Sequence, residues 1–537
     1  MPQFRGTPVL LVLPTLLLLA QPAAQAQEEK FGRVNFLISC SAAAQTQFNR
    51  AVAMLHSFFF PETVKAFTAL AAQEPSCAMA YWGIAISQRP NPLVAPFPPE
   101  LMKNGWQAIE QARAASAKSQ RESDWIEALA AFFKDYDSVD LRKRILAYEA
   151  AMERLTARYP DDSEAAVFYA LALNEAVDLN DKTYAKQFKA AAILQAIEAK
   201  QPDHPGVPHY LIHSYDFAPI CRDGLPAAQR YAELAPAAPH ALHMPSHTFS
   251  MLGMWEESIA ANVKTLAASR AYAMANKLDG TYAAAPHSYD FMQYAYLQLG
   301  QDGKARAIMA EAAAIEKVFR PILGSETGLA AVPARYMLER QDWSGAAGLQ
   351  MPVAVRAAPA KAIIHFARAI GAARSGNPAA AQADIGKLQE LKAELDKTNQ
   401  PYWAGQVEVQ LLAARAWLAQ GQGDGAQAVK LMRAAAALED ASEKHVAMEN
   451  RLYPMRELLA DMFMEQRQPA AALVEYEASM KNAPERLRGF FGAAKAAEAS
   501  GDGNKAASHF RSLVRLTSSA DSDRVEVCEA KRFAATR

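Results

Sequence analysis

The sequence predicts an all-α fold, a solenoid of antiparallel helix hairpins. Alanine is abundant and β-branched residues are sparse through most of the 537 residues, a composition that favours helix over strand. A period is also visible: Ala472-x3-Tyr476 recurs 34 residues later as Ala506-x3-Phe510, and Tyr476 is followed after eight residues by Pro484. The small residue lets one helix approach its neighbour, the aromatic fills the gap beside it, and the proline stops the helix because it cannot continue the hydrogen-bond ladder. With 51% hydrophobic residues, the chain can fill more than one ordinary core or one long array. Its 25 Gly and 30 Pro do not suggest collagen or disorder. The 56 Lys+Arg against 57 Asp+Glu leave a formal charge of −1. That balance argues against a nucleic-acid partner held by phosphate neutralisation.

Taken in order, residues 1–26 read as a cleavable secretory signal. Arg5 supplies a positive start, Val9 to Ala20 an apolar stretch, and Ala24-Gln25-Ala26 a small-x-small cleavage site. The apolar stretch is short for a membrane span, and no later stretch reaches 18 apolar residues without charge. The expected mature protein is therefore periplasmic or secreted, with no stable membrane insertion. Residues 27–318 form a first repeat block. Phe67 and Pro75 are eight apart, as are Tyr231 and Pro239, the latter with Ala227 in front. Gly253-x-Trp255 and Gly300-x-Asp302-x2-Ala305 mark turns between paired helices. Residues 319–361, broken by Pro321, Gly324, Gly328, Pro333, Pro352 and Pro359, are expected to be an irregular connection, although Asp342-Trp343 with Ala346 fits a degenerate repeat. Residues 362–515 form a second block that includes Gly376-x-Pro378-x2-Ala381, and the Ser/Asp-rich 516–537 is expected to fray.

These matches resemble the tetratricopeptide-repeat (TPR) family over roughly residues 45–515. The resemblance implies a right-handed superhelix with a concave groove lined by the first helix of each pair, and a protein or peptide partner in that groove. Cys77-Ala-Met-Ala-Tyr-Trp-Gly83 and His243-Met-Pro-Ser-His247 also resemble motifs of uncharacterised bacterial exported TPR proteins, which implies a shared fold and site but brings no activity with it.

Seven of the 11 histidines fall between His204 and His287. Pro205-x3-His209-x3-His213 and Pro239-x3-His243-x3-His247 superimpose at the 34-residue repeat. Each pair is spaced i, i+4, so both members share a helix face. Asp216 continues the first stripe. Aligning Pro286-His287 with Pro239-His240 adds a third helix, on which Asp290 matches His243 and Tyr294 matches His247. Neutral imidazoles with one or two carboxylates suit a transition metal such as Cu, Zn or Fe. The candidate ligands are His209, His213, Asp216, His243, His247 and His287, with His240 and Asp290 as alternative or outer ligands. Two other readings fit the same pattern: a polar core layer in which each imidazole has its own partner, and an anion or acidic-peptide groove using partly protonated histidines. Pro245 either starts a helix or kinks it, and a bend there would separate His243 from His247. His204 sits in a turn and is set apart from the inner group. His56 reads as a core histidine, and His365, His445 and His509 are scattered.

Several chemistries lack their motif. The glutamate of H-E-x-x-H is replaced by Tyr210 and Met244, and there is no nucleotide-binding G-x4-G-K-[ST] or G-x-G-x-x-G, nor a G-x-S-x-G elbow. Whether the metal would be catalytic is left open. Asn450-Arg451 and Tyr453-x2-Arg456-Glu457 read as a capping and salt-bridge patch. Cys40 and Cys77 lie 37 apart, about one hairpin, and either pair in an oxidising compartment or remain as two buried thiols.

Overall fold

The computed structural model describes residues 1–3, 30–94 and 96–535. The signal segment and its cleavage site therefore lie outside the described residues, apart from residues 1–3. The architecture is an all-α, TPR-like solenoid in which each helix packs on the next, from Ala42–His56 and Phe60–Gln73 through to Gly503–Leu516 and Val525–Ala535. The close approach of successive helices rests on aromatic-to-glycine contacts. A Cβ built on Gly83 would lie 2.3 Å from the Phe67 ring, and one built on Gly492 would lie 2.3 Å from the Tyr476 ring. In both places the aromatic of one helix lies against a bare backbone 16 residues later.

The buried apolar side chains form two main clusters. One runs from Phe31 to Phe249 and the other from Leu266 to Ala506. The packing thus divides near 250–266, upstream of the connection the sequence suggested. Residues 319–361 are not irregular: they carry the helices Leu323–Glu339, with Pro333 inside, and Trp343–Ala347. The C-terminal segment is also ordered. Val525–Ala535 is a helix whose Val527 and Ala530 are buried in a third cluster with Trp255 and Tyr294. Among the described residues, no helix is long and apolar enough to cross a membrane.

Three features bring the histidine segments together. First, the N-terminal segment runs beside the turns that precede them: Arg33 N donates to Asp203 O (2.9 Å) and Ala237 N to Lys30 O (3.3 Å). A disulfide between Cys40 and Cys77 secures this segment, a crosslink of a kind worth about 2–4 kcal/mol. Second, Thr281–Tyr282 and Val318–Phe319 form a short parallel strand pair at the base of the Ala284–Gln298 helix. Third, the second half folds back on the first. Glu443 N donates to Leu179 O (2.8 Å), Tyr184 Oη donates to Glu443 Oε1 (2.6 Å), and Trp255 Nε1 donates to Glu485 O (2.8 Å). This closure carries the loop 443–451 into the histidine region.

Gly83→Ala is expected to destabilise the protein by about 1–3 kcal/mol, the usual cost of overpacking a filled core. The check is a lowered denaturant midpoint. An unchanged midpoint would mean that the Phe67 ring moves aside freely.

Candidate metal centre

The first histidine pair lies on the short helix Gly206–Ser214, entered through Pro205, with Pro208 in its first turn, where no N–H is needed. The second is divided between the helices Pro239–His243 and Pro245–Leu252. Met244 between them keeps helical angles (φ −51°, ψ −38°), so the chain continues in register across Pro245. His243 Nε2 lies 3.1 Å from His247 Nε2; the proline does not part them. His287 lies in the first turn of Ala284–Gln298, after Pro286.

These helices bring six imidazoles into two groups of three, His209/His213/His240 and His243/His247/His287. Within each group the donor atoms lie within 4.8 Å of one another. His240, an outer or alternative ligand in the sequence reading, is a full member of the first group: its Nε2 is 3.2 Å from His209 Nε2. Asp290 is not with them. It forms an ion pair with Arg335 and accepts from Asn450 Nδ2 (3.1 Å). Tyr294, two registers on, accepts from Arg486 (2.8 Å). The third helix therefore contributes one imidazole and no carboxylate.

Asp216 lies just beyond the end of its helix and faces the outer nitrogens, not the centre. Its Oδ2 is 2.8 Å from His213 Nδ1 and 3.5 Å from His247 Nδ1. Other rings are held in the same manner. His209 Nδ1 donates to the His56 carbonyl (2.5 Å) and His243 Nδ1 to Asn262 Oδ1 (2.7 Å). Because each acceptor is an oxygen, the ring proton sits on Nδ1 and Nε2 carries the lone pair, which in His209 and His243 faces the Nε2 of a neighbouring ring. Metal-binding histidines are commonly set up this way. His213 Nε2 is buried with no hydrogen-bond partner, a state that costs about 1–3 kcal/mol.

Electrostatics divides the group. Burial, followed by neighbouring histidines, holds His209, His240 and His243 well below the ordinary imidazole value, and pushes His287 down to about 3. Burial also lowers His213, against the pull of Asp216. These five rings are neutral at pH 7. His247 is the exception. Burial opposes its charge, but Glu449 and then Asp216 outweigh it and raise the ring to about 10. Glu449 forms an ion pair with His247 Nδ1 without the alignment of a hydrogen bond, and burial raises its carboxyl to about 7.

Glu449 was not visible in the sequence. It is 202 positions from His247, beside the polar patch at Asn450-Arg451, and no motif marks it. The rest of that patch does make ion pairs, including Arg451 with Glu439 (3.4 Å) and Glu457 with Arg486 (2.7 Å). His56 and His204 form a separate buried network. His56 bonds Tyr210 Oη (2.9 Å) and Glu164 (3.0 Å), while His204 bonds Glu164 (2.9 Å) and accepts from Gly206 N (3.1 Å). All four ring nitrogens are engaged, so this network supports the His56 carbonyl that orients His209.

A cavity of about 110 Å³ opens onto five of the six imidazoles, all except His209. Its walls include Phe58, Phe60, Tyr282 and Phe319, and the only lining Arg, Lys, Asp or Glu among the described residues is Arg320. Phe58 lies almost parallel to His240, 5.3 Å away. Its φ of 50° is unusual for a residue with a side chain, and such strain gathers at functional sites.

No family model and no curated protein matches the chain. Among solved structures, a human IFIT1 dimer with m7Gppp-AAAA is similar over 90% of this chain and 91% of its own, at 11% identity and a TM-score of 0.36. The APC/C hetero-tetramer Cut9-Hcn1 is similar over 92% and 97%, at 11% identity and a TM-score of 0.29. Scores this low add nothing to the fold or the site described above.

Metal binding through His247 must displace its proton, because that ring is charged at pH 7 in the metal-free protein. Metal affinity should therefore rise with pH between 6 and 9, by about tenfold per pH unit for each proton released. Titration calorimetry in buffers of different ionisation enthalpy measures the release directly. A pH-independent affinity would show that His247 Nε2 is not a ligand.

Proposed function

We propose that this protein is an exported TPR-type metalloprotein whose six-histidine pocket binds a transition metal and acts on a small molecule. One observation carries this reading. Six imidazoles, five of them neutral and three held through an outer nitrogen, turn their inner nitrogens towards one another at the floor of an open cavity. The contacts of 3.1 and 3.2 Å between Nε2 atoms are close to the edge of a tetrahedron around an ion with bonds near 2 Å, about 3.3 Å.

Three protein ligands with a vacant fourth position are the arrangement of catalytic centres, whereas structural ions are closed off by four. The donor set has no thiolate, and its carboxylates stand one layer out. This favours Cu, Zn, Ni or Fe over Mg or Ca. The metal when bound would supply Lewis acidity, or electron transfer if it is a redox ion. The chain's part is to hold the imidazoles neutral and oriented, to place Asp216 and Glu449 where they balance positive charge, and to line the entrance with apolar rings. A substrate fits best if it is small, since an apolar cavity of about 150 Å³ takes a single benzene ring. The leader-like residues 1–26 and the Cys40–Cys77 disulfide support an oxidising compartment outside the cytoplasm.

The test is metal content. Protein recovered from its exporting host should carry Cu, Zn or Fe by elemental mass spectrometry, and His213→Ala combined with His247→Ala should lose it while keeping the helical circular dichroism. Far less than one ion per chain in both proteins removes the metal reading and leaves a TPR-like scaffold for a protein partner.

A further inference from the structure

We infer that the centre holds two metal ions, one in each histidine triad, close enough to share an oxygen ligand that faces the cavity. This rests on the metal reading above and extends it from a binding site to a two-ion reaction centre.

The six imidazoles have two points of convergence. His209 and His240 meet through Nε2 at 3.2 Å, and His243 and His247 meet through Nε2 at 3.1 Å. Among the six imidazoles the donor atoms cluster within 4.8 Å as two separate triads, and His247 lies within the same reach of Asp216 and Glu449. An ion with bonds near 2 Å spans donors within about 4 Å of one another. A slight contraction suffices within either triad, and a single ion cannot serve all six.

The triads nevertheless adjoin. His213 lies 6.0 Å from His247 and His240 lies 6.3 Å from His243, ring centre to ring centre. Those separations are no larger than the 6.5 Å between His213 and His240 within the first triad. A common anchor also ties them together. Asp216 Oδ2 reaches His213 Nδ1 of one triad at 2.8 Å and His247 Nδ1 of the other at 3.5 Å. One buried carboxylate thus hydrogen-bonds a ring of the first triad and pairs with a ring of the second, and Glu449 adds a second buried carboxyl beside it. Two cations on six neutral ligands need such compensation more than one does.

Each ion would keep an open position after its three histidines. Two ions a few ångströms apart would bind and polarise one bridging water or hydroxide from both sides. The cavity of about 110 Å³ lined by Phe58, Phe60, Tyr282 and Phe319 would then hold a small, largely apolar molecule against that oxygen.

The experiment uses the full exported chain, stripped of metal and reloaded with copper alone and with zinc alone. Two ions per chain are expected for the wild type. His240→Asn and His287→Asn, which change the most exposed ring of each triad, should each retain one. Two cupric ions joined by one oxygen couple magnetically, so the wild type should show less than a tenth of the paramagnetic resonance signal expected for its copper, while each variant should show nearly all of it. One ion per wild-type chain overturns the two-ion centre and leaves the metal reading intact, whereas no ion removes both. Two ions with a full, uncoupled signal overturn the shared oxygen. If a variant fails to fold, the wild-type stoichiometry and signal still decide.

Discussion

The site depends on one constraint: an imidazole buried in an apolar helical bundle must have its outer nitrogen satisfied. The His56 carbonyl, Asp216 and Asn262 meet that need for His209, His213 and His243, and Asp216 and Glu449 give His247 ion pairs. Each bond selects a tautomer and a ring orientation together. The inner nitrogens are left with too few donors, and His213 Nε2 has none. A core evolved only for packing would place apolar rings there, because an unmet buried acceptor costs about as much as a small core deletion. The tension is stored where a cation would relieve it.

Around this lies a scaffold that must be stiff. The His56–Glu164–His204 network sits directly behind His209 and fills every nitrogen it owns. Glu164 is held ionised, below its usual range, because the two imidazoles overcome the penalty of burial. Arg335 occupies Asp290 in the same spirit, and Arg486 bridges Glu339 and Glu457 at 2.7 Å each. These pairs are buried on both sides, so removing one partner would strand a charge, at a cost of about 3–5 kcal/mol. They fix the position of the Ala284–Gln298 helix, and with it His287.

Closure of the array gives the centre its asymmetry. The first triad is drawn entirely from residues 209–240. The second takes His287 from a later helix and is charge-balanced by Glu449, which arrives only because residues 443–451 fold back across the first half. One ring of six is cationic in consequence. That ring is the one whose titration would couple metal loading to acidity.

The helical class was legible in the residues, because small and aromatic side chains at fixed spacing let helices pack closely, as the Phe67–Gly83 and Tyr476–Gly492 contacts show. The H-x3-H pairs were legible for the same reason, since a helix places i and i+4 on one face whatever surrounds it. Proline was a poor guide at Pro333, which looked like a break yet lies inside a helix, whereas Pro245 starts its helix, one of the two outcomes its position allowed. Local spacing also misplaced Asp290, whose correct register on its helix is overruled by Arg335, 45 residues away. It could not reveal Glu449, nor that six rings divide three and three. Periodicity specifies the face of a helix on which a side chain lies. Which charges meet that face is decided by the closure of the solenoid, through contacts between residues hundreds of positions apart.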